Sequence, residues 1–202
     1  RLMKISTAGE SHGKGLFGMI EGLPAGLKID TDEIDGYLAL RQSGYGRGAR
    51  QKIEHDRVEI LSGVRDRVTL GSPVTLAVWN RDYENWKFRM APEGCDTSAR
   101  TLTKVRPGHA DLTGLKKFGG TDARNILERA SARETAVRVA AGTIARMFLR
   151  ELGIEVCGYV RSVAGITDDR EYTFEQLANV KESELFMPDA ALCERAKAEI
   201  DA

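Results

Sequence analysis

Two of the chain's three histidines sit in turns dense with glycine, Gly9-Glu-Ser-His12-Gly13 and Arg106-Pro-Gly-His109-Ala-Asp111. Imidazole is the side chain most readily poised to give or take a proton near neutral pH. Flanking glycines let the backbone approach a ligand closely. Most turn histidines are simply solvated, so either turn alone is a weak signal. Two in one chain strengthen the case for proton transfer. The third, His55, lies among charges in Ile53-Glu-His-Asp-Arg57 and reads as a surface or ion-pairing residue.

Proton donors need something to act on, and the arginines indicate an anion. The loop Arg41-Gln-Ser-Gly-Tyr-Gly-Arg47-Gly-Ala-Arg50 combines guanidinium groups with glycines that let it wrap. Guanidinium binds phosphate and carboxylate through paired, charge-assisted hydrogen bonds. A flexible basic surface loop would look the same. The segment Arg129-Ala130-Ser131-Ala-Arg133-Glu134 opens the clearest helix of the sequence. Ser131 and Glu134 fit a capping box. Arg129 and Arg133 stand where the helix dipole disfavours cations by roughly 0.3–1 kcal/mol, so an anion nearby is expected to offset that cost. Glu10, Asp111, Asp122 and Glu134 are available carboxylates, but their spacing resembles no metal cage. No Walker loop and no GxGxxG turn after a strand occurs.

The elements that must hold these residues are partly legible. Apolar runs predict strands over 2–6, 16–20, 57–63, 68–80 and 154–163, the fourth interrupted at Gly71-Ser-Pro73. Helical spacing predicts helices over about 32–42, 132–152 and 173–180, and another from Asp189 to Ile200. Residues 81–125 lack periodicity and read as a long functional loop region. Lys plus Arg equals Asp plus Glu at 30 each, so no basic excess suggests nucleic-acid binding. Three scattered cysteines, Cys95, Cys157 and Cys193, form no CxxC pair, which speaks against a zinc site or disulfide framework and for a reducing cytoplasm. No apolar run reaches membrane-spanning length.

These motifs carry a family resemblance. Gly-Glu-Ser-His12-Gly, the Arg41–Arg50 loop, Arg-Pro-Gly-His109-Ala-Asp and Ser131-Ala-Arg-Glu-Thr-Ala-Val-Arg-Val-Ala-Ala-Gly142 resemble, in order and approximate spacing, the motifs of the chorismate synthases. The resemblance runs from about Ile5 to Val163. It implies an α+β fold, a β-α-β sandwich with helices packed between antiparallel sheets, assembled as homotetramers. It implies loss of phosphate and a C6 hydrogen from 5-enolpyruvylshikimate 3-phosphate, with reduced FMN required although no net oxidation occurs. By position, His12 matches the histidine that protonates the departing phosphate, and His109 the one that protonates reduced flavin. Arg41 and Arg47 match contacts to an anionic ligand, substrate or NADP. Arg129, Ala130 and Ser131 match FMN contacts. Ser11, Arg50 and Arg133 are further candidates for substrate contact. NADPH is the candidate reductant, with reduced flavin expected from an outside source. Family chains are much longer, so residues 1–202 are expected to form the N-terminal part of one domain. The alternatives are a truncated, inactive relative that still binds an anionic ligand, and a scaffold whose apolar helix serves assembly.

Overall fold

A computed structural model describes residues 2–46, 55–98 and 100–202. Along the chain run β1 (Lys4–Gly9), β2 (Gly15–Glu21), β3 (Ala25–Lys28), α1 (Thr31–Gln42), β4 (Glu59–Ser62), β5 (Val64–Arg65), β6 (Val68–Leu70) and β7 (Val74–Trp79). Then come α2 (Tyr83–Met90), α3 (Asp111–Phe118), α4 (Arg124–Arg129), α5 (Thr135–Glu151), β8 (Ser162–Val163), β9 (Ile166–Thr167) and α6 (Ala190–Asp201). They group into two compact units, residues 1–38 with 56–147, and residues 39–55 with 148–202.

The first unit is organised by an antiparallel sheet in the order β1-β2-β7-β4. Alternation along β2 sends Leu16, Gly18 and Ile20 to one face. Their register partners Val78, Leu76 and Val74 on β7 share that face and are fully buried. Helix α5 covers it with Ala136, Val137, Ala140 and Ile144, which have no exposure. The fit is close at Gly18: a Cβ there would lie 2.9 Å from Val137 Cγ2. A second, three-stranded sheet has the order β3-β6-β5.

The interruption at residues 71–73 is larger than the sequence reading allowed. Residues 68–80 form two strands in two different sheets, with Gly71 at φ +83° between them. β3 falls outside every apolar run that predicted a strand. The stretch 81–125, expected to be irregular, holds α2, α3 and the first two residues of α4. These helices have eight, eight and six residues, and none has a side-chain N-cap bond. They therefore lack the start signals and the length on which pattern reading depends. Gly114 of α3 seats directly on α4, where a Cβ would come within 2.5 Å of Ile126.

The second unit contains the β8–β9 hairpin and α6 around Met187, Cys193 and Ala196, flanked by Val160, Val163, Ile166, Leu185 and Leu192. Asp189 caps α6 by accepting from the Leu192 amide at 2.8 Å. The strand expected over 154–163 is reduced to Ser162–Val163. Ile154 and Val156 alternate as a strand would but remain 48% and 49% exposed. Alternation yields a strand only where a neighbouring edge accepts its ladder. The helix expected over 173–180 is two 3-10 turns, Glu175–Leu177 and Val180–Glu182.

Candidate functional site

The turn carrying His12 is held from both ends. Gly9, at φ +101°, packs so tightly that a Cβ would lie 2.3 Å from the Gly15 carbonyl oxygen. Asn80, just past β7, donates from Nδ2 to the carbonyls of Glu10 (3.1 Å) and Gly13 (2.7 Å). Asn80 Oδ1 in turn accepts from Arg133 Nε at 2.9 Å. The Arg133 guanidinium is anchored on Asp56, with Nη1 2.6 Å from Oδ1. Both side chains are almost completely buried, 6% and 2% exposed. A chain of contacts thus runs from Asp56 through Arg133 and Asn80 to the His12 turn.

His12 itself rests on Glu128, the next-to-last residue of α4. Its backbone N–H donates to Glu128 Oε2 at 2.9 Å. Its Nδ1 lies 3.0 and 2.9 Å from the two carboxylate oxygens. Arg124, one turn earlier, donates to Oε1 at 3.0 Å. The Glu128 side chain has no exposure. Burial pulls its pKa up, but the bonds from His12 and then Arg124 outweigh it, so the carboxyl is held below its ordinary range. Trp86 of α2 stacks on the His12 ring at 3.8 Å. Asp82 holds Trp86 through its indole N–H at 2.9 Å, and the Arg100 guanidinium lies 4.5 Å from the ring centre.

His109 sits in a different electrostatic setting. Asp111, the first residue of α3, is fully buried and takes two bonds from the Arg106 side chain, Nε at 2.9 Å and Nη2 at 2.9 Å, besides the Arg106 amide at 3.0 Å. The Arg106 side chain holds the Asp111 carboxyl well below the usual carboxylate range despite burial. Arg106 Nη2 is also 2.9 Å from His109 Nδ1. A guanidinium can only donate. Neutral His109 therefore accepts at Nδ1 and carries its proton on Nε2. Asp111 Oδ1, 3.3 Å from the same nitrogen, is placed to accept a hydrogen bond from Nδ1–H when the ring is charged. Arg106 also feels the charge of Glu128, so the two histidine clusters are electrostatically linked.

Arg129 and Ala130, but not Ser131, line an apolar cleft of about 440 Å³ between α3 and α4, with Ala110, Gly114, Phe118 and Ile126 among its other walls. Arg129 Nη2 donates to Thr7 Oγ1 (2.7 Å) and Thr7 O (2.9 Å). Its Nη1 lies 3.3 Å from Glu134 Oε1 and makes no hydrogen bond among the described residues. Ser131 caps as expected, accepting from the Arg133 amide at 3.3 Å. The other half of the expected capping box is diverted, because Glu134 serves Thr7 (2.6 Å) and Arg138 (2.7 Å). Burial raises the Glu134 pKa, and the bonds from Arg138 and Thr7 more than reverse this.

The structure also revises the argument from the helix dipole. Arg129 and Arg133 do have anions beside them, but these are Glu134 and Asp56 of the chain itself. No external ligand is needed to explain two arginines at that helix end. Ser11 is buried, and its amide donates to the Glu128 carbonyl at 2.9 Å. Arg41 lies in the last turn of α1, within the second unit. Arg47 and Arg50 lie outside the described residues. Glu128 and Trp86 escaped the sequence reading. The only signal for Glu128 was its place beside Arg129-Ala-Ser131. Among the described residues no group of three His, Cys, Asp or Glu could hold a metal ion.

In class, this is an α+β protein of antiparallel sheets whose first unit carries two imidazoles set on buried carboxylates. Comparison with known proteins gives the family. The chorismate synthase family model matches residues 3–202. The chorismate synthase of Geobacter sulfurreducens is 54% identical over 99% of this chain and 52% of its own length. That of Rubrobacter xylanophilus is 51% identical over 98% of this chain and 51% of its own. A crystal structure of chorismate synthase superposes with a TM-score of 0.74 at 38% identity, covering this whole chain and 53% of its own. The chain belongs to the chorismate synthase family and shares its fold. It spans about half the length of the curated relatives it matches. No helix among the described residues is long and apolar enough to cross a membrane.

Proposed function

We propose that this chain supplies the proton-transfer half of a chorismate synthase site, acting on 5-enolpyruvylshikimate 3-phosphate in the shikimate pathway of aromatic amino-acid biosynthesis. The observation that carries this reading is the clamp of Glu128 on His12. A buried, ionised carboxylate at Nδ1 stabilises the imidazolium, and a positioned imidazolium is a competent acid toward a departing phosphate. In the net reaction the ring C–O bond to phosphate breaks with its electron pair going to phosphate, and C6 gives up its hydrogen as a proton. His12 meets the charge of the leaving phosphate by protonating an oxygen. By the family resemblance, Ser11 is a candidate contact to the substrate, and Arg41, Arg47 and Arg50 are each candidate contacts to an anionic ligand.

The cleft beside Arg129 fits a flavin in character: an apolar slot edged by the Arg129 guanidinium, which is ion-paired to Glu134. Arg129, Ala130 and Ser131 would hold reduced FMN there. Bound there, reduced flavin would supply transient electron donation with no net oxidation. His109 stands one residue from the cleft wall at Ala110, and its Nε2–H is the proton it offers. Arg133 is proposed as a brace for the His12 turn rather than a substrate contact, since its guanidinium is spent on Asp56 and Asn80. Reduced flavin is taken to come from outside the protein, with NADPH as the ultimate reductant. A cytoplasmic homotetramer is the proposed state.

The test is an anaerobic assay of the full-length protein with chemically reduced FMN and substrate, following phosphate release. Steady release is expected, with His12→Ala slower by about 10²–10⁴-fold. No release from the parent protein, or an unaltered rate in H12A, refutes the assignment.

A further inference from the structure

We propose that Glu128 is a positioning residue that fixes neutral His12 with its proton on Nδ1, leaving Nε2 as the nitrogen that exchanges a proton with the ligand. This rests on the reading of His12 as the acid, but its evidence is separate. A carboxylate can only accept, and three donors keep Glu128 ionised despite its burial: the His12 amide, His12 Nδ1 and Arg124 Nη1. The nitrogen that faces it at 2.9–3.0 Å must therefore carry hydrogen. Both the neutral and the charged ring satisfy this, so proton gain and loss are confined to Nε2.

The ring cannot easily turn to evade the constraint. Trp86 stacks on it with only 28° between the planes, and Asp82 fixes Trp86 in place. A flip would set a ring carbon against the carboxylate and strand a buried charge, which is costly. The charged groups around His12 are Glu128 and Arg124 from α4, Glu10 from its own turn, and Arg100 on the far side of Trp86. Of these only Glu128 bonds the ring. His109 is arranged in the opposite sense, accepting at Nδ1 from Arg106. Its neutral ring offers a proton at Nε2, whereas neutral His12 offers a lone pair there. The two histidines are thus set at the start in complementary roles, and His12 must be protonated before it can act as the acid.

The chain has only three histidines, so labelling them with ¹⁵N gives a spectrum that can be assigned by single substitutions. Nitrogen shifts at alkaline pH, where imidazole is neutral, report which nitrogen bears hydrogen. His12 is expected to show Nδ1–H in the parent protein and mainly Nε2–H in Glu128→Met. An Nε2–H signal in the parent overturns the proposal, even if E128M fails to fold. Retention of Nδ1–H in E128M also overturns it. In the full-length enzyme, E128M should lower kcat by about 10²-fold or more with KM little changed. An unchanged kcat would reduce Glu128 to a structural role. The spectrum needs no turnover, so absence of phosphate release beside an Nδ1–H signal defeats the functional reading alone.

Discussion

At the scale of single residues, His109 and Asp111 behave as a unit. Asp111 takes three donors from Arg106 in a fully buried position, and its carboxyl is held low. A carboxyl whose pKa falls on folding adds stability above its unfolded value of about 3.9. That stability is lost as pH falls from there through the folded value. Glu128 adds to the same acid limb, because its pKa is also lowered. Urea midpoints should therefore decline as the solution is acidified below about pH 4, and Asp111→Asn should flatten that decline. The same variant should cost about 1.5–3 kcal/mol near neutral pH, the value of hydrogen bonds to a charged group. His109→Ala, in contrast, should spare the fold. It is expected to lower kcat of the full-length enzyme more than it weakens substrate binding, which steady-state kinetics would read directly.

At the scale of elements, the placing of α3 against α4 matters most. Gly114 permits an approach that any side chain would prevent, since a Cβ would meet three atoms of Ile126 within 3 Å. These two helices carry Asp111 at the start of one and Glu128 near the end of the other, and the apolar cleft lies between them. Gly114→Val should destabilise by about 1–3 kcal/mol through overpacking. It should also weaken retention of FMN in the full-length protein, measured by flavin fluorescence. Intact flavin binding in G114V would show that the cleft is not where flavin sits. No local pattern signals this contact, because α3 and α4 are too short to show a clear periodicity. Helix α5 was readable for the opposite reason: its seventeen residues, apolar stripe and capping serine are local signals that agree.

At the scale of the first unit, Arg133 ties together segments far apart in sequence. It joins Asp56, Asn80 and, through Asn80, the Glu10–Gly13 turn. Removing one partner of a buried pair leaves a buried charge uncompensated, typically at about 3–5 kcal/mol. Arg133→Met should cost that much by denaturant unfolding. Adding Asp56→Leu should recover a large part, because the pair's own net contribution is small once desolvation is counted. A double variant no more stable than R133M would show that the network matters beyond the ion pair.

The sequence by itself determined the family, the strands β1, β2, β4 and β7, the helices α1, α5 and α6, and the two histidine turns. All of these are written in residues close together in the chain, as period, cap or glycine spacing. Only the tertiary structure decided what the histidines rest on. Glu128 is 116 residues from His12, and Asp56 is 77 from Arg133. Which carboxylate neutralises which cation depends on burial and distance, and neither is a property of local sequence. That is why the arginines at the start of α5 read as sites for an outside anion when the chain supplies its own.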